Sequence, residues 1–262
     1  MSISFMVGPH RVRFAGKTDI GRVRAHNEDS LLVPKEMALA VVSDGMGGHA
    51  SGEVASRITV ETIDQYYRDT ARSGPSTWPL KLPNLEMERQ RMAVAVQLAN
   101  SNIFETAAAD GSKKGMGCTV DAMAFSQGRF YIGHVGDSRV YRIRNNTIQM
   151  LTEDHSFHND YLRMKEMSTE EGVNLPHKNV VVRALGLNEH VHVDVIHDEF
   201  RTGDLFLMCS DGLCGMLKDA QMLEIATATN SLDTGCHELI KAANDEGGND
   251  NITAILIRVE RP

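Results

Sequence analysis

Residues 40–52 read AVVSDGMGGHASG. The apolar run 38–42 stops at Ser43 and Asp44, and Gly45, Gly47 and Gly48 follow before a segment with helical spacing begins. An apolar run this short, cut off by glycines, reads as a buried strand feeding a tight turn. Asp44 then stands at the strand's end, where the backbone turns away and a carboxylate can face a cleft. Glycine at that place lets the main chain come close to a ligand, because no Cβ is in the way. Taken alone, Asp44-Gly45 is no more than a good turn pair.

The pattern returns, and that changes its weight. A second apolar run, LFLMCS at 205–210, ends in Asp211-Gly212. Near the C-terminus, Gly247-Gly248-Asn249-Asp250-Asn251 leads into a third apolar run, 252–259. Acidic residues beside glycines at the ends of three distant strands point to carboxylates gathered around hard cations. Asp29 and Asp137, each in a charged or glycine-bearing turn, join the candidate set.

Working outward, residues 12–15 read as an edge strand and 18–21 as a turn. The segment 22–29, RVRAHNED, precedes a short apolar stretch at 31–33. Residues 51–67 read as a helix, with Val54, Ala55, Ile58 and Thr62 on one face, and 85–109 as a second, with Met92, Ala95, Ala99, Asn102 and Ile103. Between them, 69–84 holds Gly74, Pro75, Pro79 and Pro83 and reads as a loop around the single Trp78. Strands are expected at 118–125, 129–135, 139–144 and 147–151. The short turns between them suggest one antiparallel meander. Polar residues 152–176 read as an inserted flap. Further strands are expected at 180–185, 190–196, 205–210 and 252–259, with helices at 220–228 and 232–244. Hairpins rather than βαβ units argue for an α+β layered fold.

Composition sets outer bounds. The chain has 262 residues, 42% of them hydrophobic and 24% charged, enough for a sizeable core. A net charge of -8 disfavours a general nucleic-acid binder. No run reaches the roughly 18 apolar residues of a membrane span, and no signal peptide is recognised, so a cytoplasmic protein is expected. Cys118, Cys209, Cys214 and Cys236 form no C-x-x-C pair and read as free thiols. Two histidines, His190 and His192, alternate along an expected strand, but without a third ligand nearby they read as a solvated face.

The carboxylate set fixes the chemistry further. Five clustered acids repel one another unless cations sit among them. Oxygen-only ligands favour Mg²⁺ or Mn²⁺ over Zn²⁺. Two such ions about 4 Å apart can lower the pKa of a water and present it to phosphorus. Arg24 can orient a phosphate with its guanidinium fork.

At this point the sequence resembles the metal-dependent protein Ser/Thr phosphatases of the PPM, or type-2C, family in its bacterial form. The matching pieces are Arg24 with Asn27-Glu28-Asp29, Val42 to Gly48, Gly117-Cys118-Thr119 and Gly136-Asp137-Ser138-Arg139. Arg183-Ala184-Leu185-Gly186, Ser210-Asp211-Gly212-Leu213 and Gly248 to Thr253 complete them, in family order over residues 12–259. The resemblance implies one phosphatase domain over 1–262, an αββα sandwich of two antiparallel sheets, with a flap at about 152–178. It implies that Asp44 bridges two metals, that the Gly45 carbonyl binds one of them, and that Asp211 and Asp250 bind the other. Glu28 would reach a metal through water, Asp137 would help hold a third, weaker ion, and Arg24 would grip the phosphate. Asp29, Thr119 and Asn251 would support these ligands. The expected reaction is hydrolysis of phosphoserine and phosphothreonine in proteins, opposing a Ser/Thr kinase, by a monomer. A catalytically weak pseudophosphatase serving as a regulatory module is the alternative, and an unrelated Mg²⁺-dependent sugar or nucleotide phosphatase is a second one. One departure concerns the leaving group: many members carry a His after the Asp-Gly, whereas here Met46 has no proton to give. His49 stands three residues on.

Overall fold

The computed structural model describes residues 2–47, 51–73, 84–156 and 182–262. Most of the expected flap, Trp78 and His49 lie outside the described residues.

Two antiparallel sheets carry the fold. Strands β1 (Ile3–Val7), β2 (His10–Asp19), β9 (Arg139–Arg144), β10 (Thr147–Met150), β12 (Leu205–Cys209) and β13 (Ile252–Glu260) make a six-stranded sheet in the order β1-β2-β13-β12-β9-β10. Strands β3 (Ser30–Leu32), β4 (Leu39–Ser43), β7 (Val120–Ser126), β8 (Arg129–Val135) and β11 (Asp194–Glu199) make a five-stranded sheet in the order β11-β8-β7-β4-β3. A two-residue ribbon, β5 (Gly45–Met46) with β6 (Gly117–Cys118), continues from the end of β4. Helices α1 (Gly52–Ser73) and α2 (Asn84–Ala109) cover one sheet, and α4 (Asp219–Thr227) and α5 (Leu232–Asp245) cover the other. A single turn, α3 (Asp211–Cys214), follows β12.

Alternation along the central strands builds the four layers. Successive strand side chains point to opposite faces. On β4, Leu39 and Val41 pack with the α1–α2 cluster, while Ala40 and Val42 face the other sheet. On β12, Leu205 and Leu207 pack under α4 and α5, while Phe206 and Met208 turn inward. Both faces of these strands are therefore buried, which is why their sequences read as unbroken apolar runs. Between the sheets, Phe14, Phe125, Phe130 and Phe206 meet edge to face, at centroid distances of 5.1–5.8 Å.

The expected meander does not form. The β7–β8 hairpin turns at Gln127-Gly128 and the β9–β10 hairpin at Asn145-Asn146, with positive φ at both residues of each, as tight hairpins require. These two hairpins lie in different sheets. The segment Gly136-Asp137-Ser138 between them is not a turn but the crossover from one sheet to the other. Three smaller differences go the same way. Residues 182–185 form no strand beyond the single bridge of Leu185 to Cys118. Strand β11 starts at Asp194, after both histidines, and α1 runs on to Ser73. The N-terminal strand β1 and the turn α3 have no counterpart in the sequence reading.

Candidate active site

Five separate parts of the chain meet at one edge of the sandwich. Strand β4 ends at Ser43 and delivers Asp44, and β12 ends at Cys209 and delivers Asp211 as the first residue of α3. Asp250 precedes β13, Asp137 sits in the crossover, and the β2–β3 loop carries Arg24 and Glu28. Together with Gly45, Met46, Gly47 and Thr119 they line a cleft of about 440 Å³. Every residue that the family resemblance implied as a metal or phosphate ligand is in this lining, whereas Asp29, grouped with the clustered acids from the sequence, is not.

Hydrogen bonds from behind hold these side chains. The Asp44 N–H donates to Thr119 Oγ1 at 3.0 Å, and the Thr119 N–H returns a bond to the Asp44 carbonyl at 2.8 Å. Thr119 Oγ1 also lies 2.7 Å from Ser138 Oγ, which ties Asp44 to the crossover. Asn251 holds the β2–β3 loop: its Oδ1 accepts from the Glu28 N–H at 2.8 Å, and its Nδ2 donates to the carbonyls of Ile20 and His26 at 2.9 Å. Gly45 presses against the same loop, its N–H on the Glu28 carbonyl at 3.1 Å, and a Cβ there would lie 2.5 Å from that oxygen. Only glycine permits this approach.

Asp29 is behind the cleft rather than in its lining. One of its oxygens accepts from Ser210 Oγ at 2.7 Å and from Thr253 Oγ1 at 2.6 Å. Ser210 and Thr253 were not singled out in the sequence, although each flanks an acidic candidate in the motifs that carried the resemblance. Asp19 is the last residue of β2, its side chain accepting from the Gly21 N–H at 2.9 Å and from Asn244 Nδ2 at 3.1 Å. His192 is 80% exposed and 3.3 Å from Asp194, an arrangement for water and not for a metal.

The electrostatics are those of a crowded acid cluster. Burial, reinforced by Asp29, Asp211 and Asp137, pushes the Asp44 carboxyl well above its ordinary value. Burial likewise lifts Asp29 and Asp137 to about 7, and raises Asp211 and Glu28. Arg24 is the cation in contact with the cluster, its Nη2 2.6 Å from Asp250 Oδ2, with half of its side chain exposed. Asp29 Oδ1 and Asp211 Oδ1 are buried without a hydrogen-bond partner among the described residues. Such oxygens are costly unless a cation or proton joins them, so the donor set fits hard divalent ions. Among the described residues no three acidic, His or Cys side chains already close on a single ion. Mg²⁺-like ions do not demand this, since they keep several waters and take one or two carboxylates each. Met46, in the lining, supplies no proton.

Similarity to known proteins agrees with this geometry. The family model for protein phosphatase 2C matches residues 21–256. The serine/threonine phosphatase stp of Listeria innocua is 38% identical over 244 residues, 92% of this chain and 93% of its own. The solved Mycobacterium tuberculosis serine/threonine phosphatase PstP/Ppp superposes with a TM-score of 0.81 at 31% identity, over 95% of this chain and 99% of that one. A PstP catalytic domain in complex with two manganese ions superposes with a TM-score of 0.77 at 30% identity, over 95% and 98%.

Proposed function

This chain belongs to the protein phosphatase 2C family, the metal-dependent Ser/Thr protein phosphatases, and we propose that the acidic cleft is where it hydrolyses phosphoserine and phosphothreonine. The observation that carries the reading is the set of buried, mutually repelling carboxylates around Asp44, with oxygens that lack partners. Two Mg²⁺ or Mn²⁺ ions held there would supply positive charge for the phosphoryl oxygens and a water acidic enough to attack phosphorus.

Asp44, at the centre of the cluster, is assigned as the bridging ligand. Asp211 and Asp250 are assigned to one ion, the Gly45 carbonyl to the other, and Glu28 to a contact through water. Asp137, in the crossover, is assigned to a third, weaker ion. Arg24 is assigned to the phosphate: its long, half-exposed side chain already reaches across the cleft mouth to Asp250, and its planar fork matches two phosphoryl oxygens. Asp29, Thr119 and Asn251 keep these groups in place by the bonds described above. Met46 leaves the departing seryl or threonyl oxygen without a side-chain acid at that position. Aryl phosphates, with better leaving groups, need such an acid less.

The substrates are phosphorylated proteins, and a Ser/Thr kinase is the natural opposing partner of a monomer working in the cytoplasm. Among the described residues no helix is long and apolar enough to cross a membrane, and all four cysteines are free.

The test is phosphate release from a phosphothreonine peptide and from p-nitrophenyl phosphate, with Mn²⁺ and after chelation, for the wild type, Asp44→Asn and Asp211→Ala. Release that needs Mn²⁺ and is lost by more than about 100-fold in both variants is expected, as for loss of a group acting directly in the transition state. A folded Asp44→Asn protein with near-normal rates would sink the two-ion assignment. Release from the aryl ester alone would locate the deficit at Met46.

A further inference from the structure

A buried polar chain leads from the surface to the crossover that carries Asp137, and its central member is His155. This residue occupies both main-chain groups of Gly136. The Gly136 N–H donates to His155 Nδ1 at 3.0 Å, and the His155 N–H donates to the Gly136 carbonyl at 2.7 Å. With Nδ1 accepting, the neutral ring carries its proton on Nε2, which faces Asp194 Oδ2 at 3.0 Å. Arg183 Nη1 lies 3.1 Å from the other Asp194 oxygen and 2.9 Å from Nε2 itself, so the guanidinium and the imidazole crowd the same carboxylate. The inner face of the ring packs on His134 at a centroid distance of 4.6 Å. That ring is fixed in turn by Asp121 at 2.8 Å and the Glu153 carbonyl at 2.9 Å.

On its other side Gly136 is pressed against Thr119. It has a φ of +117°, and a Cβ there would stand 2.6 Å from Thr119 Cβ. The crossover is thus gripped between Thr119, which also holds Asp44, and His155. Asp137 directly follows Gly136 in the crossover between β8 and β9, so the placement of its carboxylate depends on the main chain that His155 and Thr119 hold.

We infer that His155, oriented by Asp194, is a positioning residue that sets Asp137 for cation binding by clamping the Gly136 peptide. This rests on the assignment of Asp137 to the weakest ion in the proposed function. The arrangement has the logic of a carboxylate–imidazole pair whose outer acid selects the tautomer. Here the imidazole serves a backbone N–H rather than a metal. Groups that support a ligand in this way are typically worth about 10–100-fold in metal affinity.

Calorimetric titration of the intact protein with Mn²⁺, paired with its melting temperature, tests the inference. His155→Ala is expected to weaken the weakest Mn²⁺ step about tenfold and leave the tighter steps as in the wild type. His155→Asn, whose side-chain oxygen can accept from the Gly136 N–H, is expected to recover most of that loss. Asp194→Ala should fall between them, and it serves if His155→Ala does not fold, because Asp194 is 38% exposed. Asp137→Asn, run alongside, should abolish the weakest step. If Asp137→Asn binds like the wild type, the assignment of Asp137 fails. If Asp137→Asn loses the step while folded His155→Ala, or Asp194→Ala in its place, keeps it, the role of His155 fails. Equal weakening of every step with a lowered melting temperature would make His155 a packing residue only and would also overturn the inference.

Discussion

Asp44 owes its place to Thr119 as much as to its own strand. The strand brings the carboxylate to the sheet edge. The reciprocal bonds with Thr119, at 3.0 and 2.8 Å, then fix the peptide on either side of it. His155 shows the same division between a residue and its holder, and it has a measurable pH signature. Burial, together with the neighbouring His134 ring and the Arg183 guanidinium, pushes the imidazole down from 6.5 to about 4, against the opposing pull of Asp194. The folded protein therefore binds this proton less readily than the unfolded chain. The stabilisation is complete above pH 6.5 and is lost as pH falls toward 4, at up to about 1.4 kcal/mol per pH unit. Unfolding free energy measured across that window should fall more steeply in the wild type than in His155→Asn. Parallel curves would show that the fold does not shift the titration of this ring.

At the scale of an element, the crossover 136–138 is the least replaceable connection in the site. It carries Asp137, bonds Thr119 through Ser138, and depends on Gly136 at a φ of +117°. Gly136→Ala brings a Cβ to 2.6 Å from the Thr119 side chain in a backbone region that L residues rarely enter. Strain of this kind costs about 1–3 kcal/mol. Denaturant titration should show that loss, and because the displaced Thr119 also holds Asp44, turnover of the folded variant should fall with it. A variant that loses neither would mean that the crossover relaxes without disturbing Asp44 or Asp137.

The whole molecule acts as a frame that holds two sheets at one spacing. Asp44 comes from the five-stranded sheet, while Asp211 and Asp250 come from the six-stranded one. Their mutual placement therefore depends on the layer between the sheets. Phe206 sits there fully buried, 5.1 Å from Phe130 and 5.7 Å from Phe125. Phe206→Ala is expected to destabilise the fold by about 3–5 kcal/mol through lost contacts and a residual cavity, read as a shift in the denaturation midpoint. If instead the loss stays under about 1 kcal/mol, the layer collapses onto the space and the frame is softer than its packing implies.

What the sequence determined by itself follows from short-range rules. Asp44 and Asp211 were legible because each is an acid followed by glycine at the end of an apolar run, and Asp250 because it stands between a glycine pair and the start of one; run, breaker and acid all fall within a few residues. The two hairpins were legible for the same reason. Only the tertiary structure decided that Gly136-Asp137-Ser138 crosses between sheets. A Gly-Asp-Ser segment has turn chemistry in either case, and the choice of sheet depends on which distant strands complete the ladders: β9 pairs with β12, about 60 residues on. It also decided that Ser210 and Thr253 converge on Asp29, and that His155 meets Gly136. Hydrogen bonds between residues far apart in the chain leave no periodic trace, because they answer to the geometry of the packed layers and not to the local spacing of the residues that make them.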